Sequence, residues 1–221
     1  MKKIICLILI IISLFSLGAC SDSEFPPVES TDEEARVLMT VRYEKEEYEI
    51  RYELYRSLFL NFKTEYDGGD SSFWNRPESA EAKEKINGTI VNFCKDIFAV
   101  LHLAKSIGFD PYSKEADKLV EEYISASVNG NSDIAEGYGG DYDAYLESLR
   151  EMNLNYSVQT LLYRYSIAYD KIVEYYAGSM NADNPMPGDE ALERKHEGPE
   201  HIQGSPVSAS ELEMRDPFPV S

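Results

Sequence analysis

Between residues 45 and 177, apolar side chains recur three and four positions apart in five separate stretches. This spacing places them on one face of a helix, so each stretch is predicted to be an amphipathic helix with one buried face. In the first stretch the repeated residues are all aromatic: Tyr48, Tyr52, Tyr55, Phe59, Phe62 and Tyr66. The sequence therefore predicts an all-α domain at about 37–178, with about five helices near residues 45–66, 79–107, 113–128, 141–152 and 155–177.

Residues with known capping preferences lie at the predicted helix ends. Ser79, Ser113 and Asn155 precede three of the apolar stretches, where their side-chain oxygens are expected to accept a hydrogen bond from a backbone amide. Gly108 follows the second stretch, as is usual just beyond a helix C-terminus. Ahead of the first helix, residues 37–41 read Val-Leu-Met-Thr-Val and predict either a small strand or an extended lead-in.

The N-terminal segment has the parts of a secretory signal, namely two lysines, an apolar stretch and small residues before Cys20. Leu17-Gly18-Ala19-Cys20 resembles a bacterial lipobox, which implies cleavage before Cys20 and a diacylglyceryl thioether on its sulfur. The alternatives are a plain signal peptide or a membrane helix with a chance cysteine, but a spanning helix needs about 20 apolar residues. We expect 1–19 to be a lipoprotein signal peptide and Cys20 to anchor the protein to the cell membrane, outside the cytoplasm.

Two polar segments flank the predicted domain. Residues 20–36 are acidic and contain a Pro-Pro pair, and residues 179–221 contain six prolines and many charges. Segments of this composition bury too little apolar surface to fold, so we expect a flexible tether over 20–36 and a disordered, acidic, Pro-rich tail over 179–221. The formal charge of −19 argues against binding to nucleic acid or to an anionic membrane surface by electrostatics.

The sequence offers little for catalysis or metal binding. Cys94 is left without a partner once the signal segment is set aside, and its place in a helical apolar pattern predicts a small buried hydrophobe. His102, His196 and His201 lack zinc-ligand spacing, and there is no phosphate-binding glycine loop or nucleophile motif. We expect no metal and no cofactor, and an enzyme of unknown type remains the least supported alternative.

Tyrosine is the most distinctive residue type, with 16 copies in the chain. Its broad apolar face and polar tip suit surfaces that hold varied apolar partners. Most of the periodic rings are expected in the core, but Leu, Ile and Val compete for the same interior, so some rings are available to line a groove. The candidate peptide-binding residues are Tyr48, Tyr52, Phe59, Phe73, Trp74, Tyr165 and Tyr169.

The order of several strings in the body resembles the N-terminal chaperone region of SurA/PrsA-like foldase lipoproteins, in the form common in Gram-positive bacteria. The resemblance covers about 37–178 and begins with the Val37–Val41 lead-in and the long aromatic helix that ends in Asp67-Gly68-Gly69-Asp70. It continues through Phe73-Trp74, Ala99-Val100-Leu101-His102-Leu103-Ala104, Gly108-Phe109, Gly139-Gly140-Asp141-Tyr142-Asp143-Ala144-Tyr145-Leu146 and Tyr175-Tyr176.

This resemblance implies a non-catalytic helical domain that binds unfolded or newly secreted polypeptides outside the membrane. In the family such a domain often accompanies a parvulin-type peptidyl-prolyl isomerase domain, which is a mixed α/β unit of roughly 100 residues. Only 43 residues follow Gly178, so no isomerase site can be transferred to this sequence. The alternatives are a surface module for protein–protein interaction or assembly, and the remnant of a peptidyl-prolyl isomerase.

Overall fold

The structure is a computed structural model that describes residues 25–130, 137–179 and 201–204. The fold is mainly helical, with a three-stranded antiparallel sheet in the order β2-β1-β3. The strands are β1 (Val37–Tyr43), β2 (Glu46–Arg51) and β3 (His201–Gly204), and the helices are α1 (Tyr52–Phe62), α2 (Thr64–Asp67), α3 (Ala80–Ser106), α4 (Lys114–Asn129), α5 (Tyr142–Glu151) and α6 (Tyr156–Ser179). Two short 3₁₀ helices, Ser71–Asn75 and Pro77–Ser79, connect α2 to α3.

The sheet corrects the prediction of an all-α domain. Residues 46–51 were expected at the start of the first helix, but they form β2, which pairs with β1 after a turn at Glu44 and Lys45. Tyr48 and Ile50 are buried, whereas Glu47, Glu49 and Arg51, which alternate with them, are exposed. This alternation is the two-residue period of a strand. The helix therefore begins only at Tyr52, where the period changes.

Two of the predicted N-caps are confirmed. The backbone amide of Ala116 donates a hydrogen bond to Ser113 Oγ over 3.2 Å, and that of Val158 donates to Asn155 Oδ1 over 2.9 Å. Ser79 occupies the predicted N-cap position of α3, but it also ends a 3₁₀ helix and its side chain makes no capping hydrogen bond. Its hydroxyl instead donates to the carbonyl oxygens of Arg76 and Trp74.

Two hydrophobic clusters stabilise the described part of the chain. The major core joins β1, β2, α1, α3 and α6, and its largest fully buried side chains are Trp74, Tyr55, Phe59, Ile50, Ile86, Ile90, Ile97 and Leu101. The minor core joins α4, α5 and α6 with Phe25, and its buried residues are Phe25, Val120, Ile124, Val128, Tyr145, Leu149 and Ile167. Helix α6 contributes to both clusters and so connects them.

Cys94 lies fully buried in the major core, as its position in the apolar pattern predicted. Burial among apolar neighbours disfavours the thiolate and raises the pKa of the Cys94 thiol to about 12. The thiol therefore stays protonated at neutral pH and acts as a packing group.

Residues 25–36 lie against the domain, in contrast to the expected flexible tether over 20–36. The ring of Phe25 is buried in the minor core, and Tyr142 donates a hydrogen bond from its hydroxyl to the carbonyl of Pro26 over 2.8 Å. The backbone amides of Tyr52 and Glu53 donate to carbonyls of this segment. We call residues 25–36 the lead segment; the rest of the predicted tether and the signal peptide lie outside the described residues.

The C-terminal region also differs from the expectation of a disordered tail, because residues 201–204 form β3 on the outer edge of β1. Residues 180–200 and 205–221 of the predicted tail lie outside the described residues. Within the described ranges, no helix combines the length and the apolar character that crossing a membrane requires.

Candidate functional site

A groove of about 980 Å³ lies between the lead segment, strand β2 and the first half of α6. Four successive residues of β2, Glu46 to Glu49, line it. Because successive side chains of a strand point to opposite faces of the sheet, a groove that contacts all four runs along the edge of the strand. The inner edge of β2 is paired with β1, and no other described strand pairs with its outer edge. Thr40 of β1, which is paired with Glu49, also lines the groove, and we infer that the groove reaches from this face of the sheet around the outer edge of β2.

The floor of the groove is apolar and comes from three helices. Leu54 belongs to α1, Phe98 and Leu101 to α3, and Val158 and Leu161 to α6. All except Leu161 are buried residues of the major core, and Leu161 is half-buried. The floor of the groove is therefore formed by the surface of the major core, and close packing of that core fixes its shape.

Charged side chains form the rim, and several of them are paired. Lys105 donates a short hydrogen bond to Glu46, and Arg51 contacts Glu49 over 2.9 Å. The hydrogen bond from Lys105 holds the pKa of Glu46 below its usual range. The rim therefore presents Glu46 as an ionised carboxylate beside the Lys105 ammonium.

At the end near Pro111, the rim is built around Arg164. This guanidinium donates to the carbonyl oxygen of Pro111 and to Asp117 Oδ1, both over 2.6 Å, and it lies 5.2 Å from the ring centroid of Tyr112. These contacts fix the start of α4 to the middle of α6. The exposed ring of Tyr112 is thereby held over the groove as an aromatic rim residue.

Glu53 forms the wall where the lead segment meets α6. It is only 2% exposed, and its carboxylate accepts hydrogen bonds from Ser30 Oγ (2.5 Å), Asn155 Nδ2 (2.7 Å) and Ser157 Oγ (2.8 Å). The start of α6 supplies two of these donors, and a helix N-terminus favours a nearby negative charge. Glu53 therefore fastens the lead segment and α6 to α1, and so sets the width of the groove.

A polar cluster lies in the wall beside β2. The Tyr48 hydroxyl donates to Glu46 Oε2 over 3.0 Å and lies 3.4 Å from His102 Nδ1, and the Tyr43 ring stacks on His102 at 5.6 Å. Burial, followed by the hydrogen bond to Glu46, raises the pKa of Tyr48 above its usual value. Tyr48 therefore stays neutral and acts as a hydrogen-bond donor rather than as a base.

Only one of the seven rings predicted to bind peptide lines this groove, namely Tyr48. Tyr52, Phe59 and Trp74 are buried in the major core, which corrects their assignment to an open surface. Phe59 and Phe73 pack on Trp74 at 5.2 and 5.3 Å.

The other two rings lie farther along α6 and do not line the groove. Tyr165 is half-buried, Tyr169 is 51% exposed, and the two rings stack at 6.5 Å. The predicted lipidation residue, Cys20, lies outside the described residues.

Sequence reasoning missed Glu53, Tyr112, Tyr156 and Arg164, all of which line the groove. Glu53 and Arg164 are single charges among many, and no local pattern distinguishes them. The two tyrosines lie next to helix N-caps, since Tyr112 directly precedes Ser113 and Tyr156 directly follows Asn155.

The groove has the features of a binding surface. Within residues 25–130, 137–179 and 201–204, no group of three or more His, Cys, Asp or Glu side chains is placed to hold a metal ion. The groove joins an apolar floor, a rim of paired charges and the outer edge of a strand. Comparison of the chain with protein-family models, curated proteins and solved structures found no match in any of the three.

Proposed function

We propose that the protein is a lipid-anchored, extracytoplasmic, chaperone-like protein that binds extended segments of unfolded or newly secreted polypeptides. One observation carries the proposal: a groove with an apolar floor runs along the outer edge of β2. A strand edge presents backbone N–H and C=O groups that can pair with any extended chain, and the floor accepts apolar side chains. Such a site recognises extended conformation and apolar character rather than one sequence.

The lipobox-like string and the resemblance of the body to SurA/PrsA-like foldases support the same proposal. A lipid on Cys20 would hold the binding domain where translocated chains emerge. We therefore expect the Cys20→Ser variant to move from the membrane fraction to the soluble fraction and to lose labelling by a radioactive fatty acid. Unchanged membrane retention would contradict the anchor without bearing on the groove.

The binding function is tested with the chain from Ser21 onward, which contains every residue of both described cores. It should suppress the aggregation of several chemically unfolded proteins at near-stoichiometric ratios. In the Leu161→Lys variant, a charge in the groove floor should weaken the binding of an apolar peptide by about tenfold, which corresponds to about 1.4 kcal/mol. Tyr169→Lys, on the same helix but outside the groove, is the matched control.

The binding mode has its own test. Strand addition uses every second amide of the bound peptide, so two versions of one peptide can be N-methylated at odd or at even positions. One version should lose binding and the other should keep it. Equal binding of both versions would exclude strand addition, and capture of a single folded partner in its native state would favour the interaction-module alternative.

A prolyl isomerase assay on a proline-containing peptide should show no rate enhancement. Clear activity would contradict the expectation that no isomerase site can be transferred to this sequence.

A further inference from the structure

Strand β3 is the only part of the chain beyond Ser179 that the structure describes, and it covers the outer edge of β1. It pairs antiparallel over four residues, with Met39 opposite Gly204, Thr40 opposite Gln203, Val41 opposite Ile202 and Arg42 opposite His201. The hairpin of β1 and β2 thus has two outer edges of different status. The edge of β2 lies beside the groove, whereas the edge of β1 is covered by the chain's own C-terminal segment.

The pairing between β3 and β1 is short. Four residues make few ladder hydrogen bonds, and ordering them costs conformational entropy of similar size. Twenty-one residues, 180–200, separate β3 from the end of α6 in the sequence, so no short connection enforces the pairing of β3 with β1. We therefore expect β3 to leave the edge of β1 and return to it repeatedly in the folded protein.

Strand β1 does not depend on β3 for its own position. Met39, Val41 and Tyr43 are buried in the major core, and β1 pairs along its length with β2. When β3 leaves, the edge of β1 therefore keeps its shape and presents unpaired backbone groups, which form a template for another extended chain.

We propose that the outer edge of β1 is a second site for an extended polypeptide segment, which β3 occupies in cis as an exchangeable strand. The proposal deepens the proposed function and rests on it for the class of ligand, because both edges would bind extended backbone. The register sets a preference: an apolar residue is favoured opposite Val41, where the chain's own segment has Ile202. Proline is disfavoured within the four paired positions.

The test uses a fluorescent peptide with the sequence of residues 198–207 and the chain from Ser21 onward. Occupancy of the edge by β3 lowers the apparent affinity for the peptide in proportion to the fraction of time the edge is free. Successive backbone amides of a strand point to opposite sides, so one of the two amides of Ile202 and Gln203 faces β1. The double variant Ile202→Pro/Gln203→Pro removes both amides and therefore removes the one that faces β1. It should bind the peptide about tenfold more tightly than the unaltered chain if β3 covers the edge about 90% of the time.

Two controls accompany this measurement. Ala209→Pro, which lies beyond β3 in the sequence, should bind the peptide as the unaltered chain does. A peptide with Asp in place of Ile at the position of Ile202 should bind the double variant more weakly. Equal peptide affinity of the double variant and the unaltered chain would overturn the proposal, as would no binding by either.

Two further readouts separate this inference from neighbouring ones. The groove variant Leu161→Lys should bind the 198–207 peptide as tightly as the unaltered chain does. If the double proline variant binds this peptide more tightly but the chain does not suppress aggregation, only the proposed function is contradicted. Sedimentation of the unaltered chain should show a monomer over the concentrations used. A dimer that the double proline variant abolishes would overturn the proposal, because the edge would then exchange β3 between copies of the chain.

Discussion

The major and minor cores differ in size and in what holds them together. The major core buries 21 residues, drawn from two strands and three helices and including Trp74. The minor core buries seven residues, and one of them, Phe25, comes from the lead segment rather than from a helix or strand. The major core is therefore expected to set the global stability of the domain, whereas the minor core opens at a lower cost. The groove lies where the two meet, since Leu54 and Phe98 belong to the major core and Tyr156 packs on the minor one.

The largest expected effect is that of Trp74→Ala in the major core. The side chain is 1% exposed, packs on Phe59 and Phe73, and donates to Asp67 Oδ2 over 2.6 Å. We expect the free energy of unfolding to fall by about 3–5 kcal/mol. The free energy of unfolding is measured by urea denaturation monitored by circular dichroism. Tryptophan fluorescence cannot be used, because the variant loses the chain's single tryptophan. Phe93→Ala, at an exposed position on α3, is the control; an equal loss there would contradict the assignment of stability to the core.

Phe25→Ala should lower the free energy of unfolding by less, by about 3 kcal/mol, because the minor core is small and the lead segment can detach locally. Its distinguishing effect is local. Hydrogen exchange should accelerate in α4 and α5 and not in α3. Val28→Ala in the same segment changes an exposed side chain and should have an effect below about 0.5 kcal/mol. Uniform acceleration across both cores would show that they open as one unit.

Asp67 gives the major core a pH dependence through a buried carboxylate. Burial opposes its ionisation, but hydrogen bonds from Lys63, Trp74 and the amide of Gly69 outweigh burial and hold the pKa of Asp67 below its usual value. Its carboxylate therefore stabilises the fold above about pH 4, and this stabilisation is lost as the pH falls through the lower, folded-state pKa. Asp67→Asn should lower the free energy of unfolding by about 2 kcal/mol at pH 7. The difference from the unaltered chain should become smaller as the pH is lowered.

The matched control for Asp67 is Asp70, three residues later and exposed. Asp70→Asn should change the pH dependence of unfolding less than Asp67→Asn does. Hydrogen bonds from Ser72 and Arg76 also hold the pKa of Asp70 below its usual value, but its carboxylate is exposed and solvent screens the interaction. A loss of stability in Asp67→Asn that is the same at pH 7 and pH 3 would show that packing, rather than charge, accounts for the effect.

The sequence predicted the helices well because their signals are local. Ser113 and Asn155 cap the helices that they were expected to cap, and α3, α4 and α5 end within one or two residues of their predicted limits. The sheet was harder to predict, because Tyr48, Tyr52 and Tyr55 fit a helical spacing although Tyr48 lies in a strand. The turn at Glu44 and Lys45 also lacks the Asn-Gly or Asp-Gly pair that usually indicates a hairpin.

Contacts between distant parts of the chain could not be predicted at all. Residues 201–204 carry no strand signal of their own, and their conformation depends on pairing with β1, about 160 residues earlier in the sequence. The groove has the same origin, because the lead segment, β2 and α6 meet only in the folded domain. Most rings of the periodic pattern pack in or against the major core, as expected, and of the seven candidate peptide-binding rings only Tyr48 lines the groove.

The smallest expected effect on stability is that of Glu53→Gln, which tests how the two cores are joined. An amide keeps one acceptor oxygen of the carboxylate but loses the charge and at least one of the three hydrogen bonds from Ser30, Asn155 and Ser157. The free energy of unfolding should fall by about 1 kcal/mol. Because the lost contacts fix the lead segment to α6, the groove should lose affinity for an apolar peptide although no floor residue has changed.

Ser30→Ala removes one donor and leaves Glu53 in place, so it should weaken peptide binding less. Full peptide affinity in Glu53→Gln would mean that the lead segment holds its position through Phe25 alone, and the minor core would then set the width of the groove.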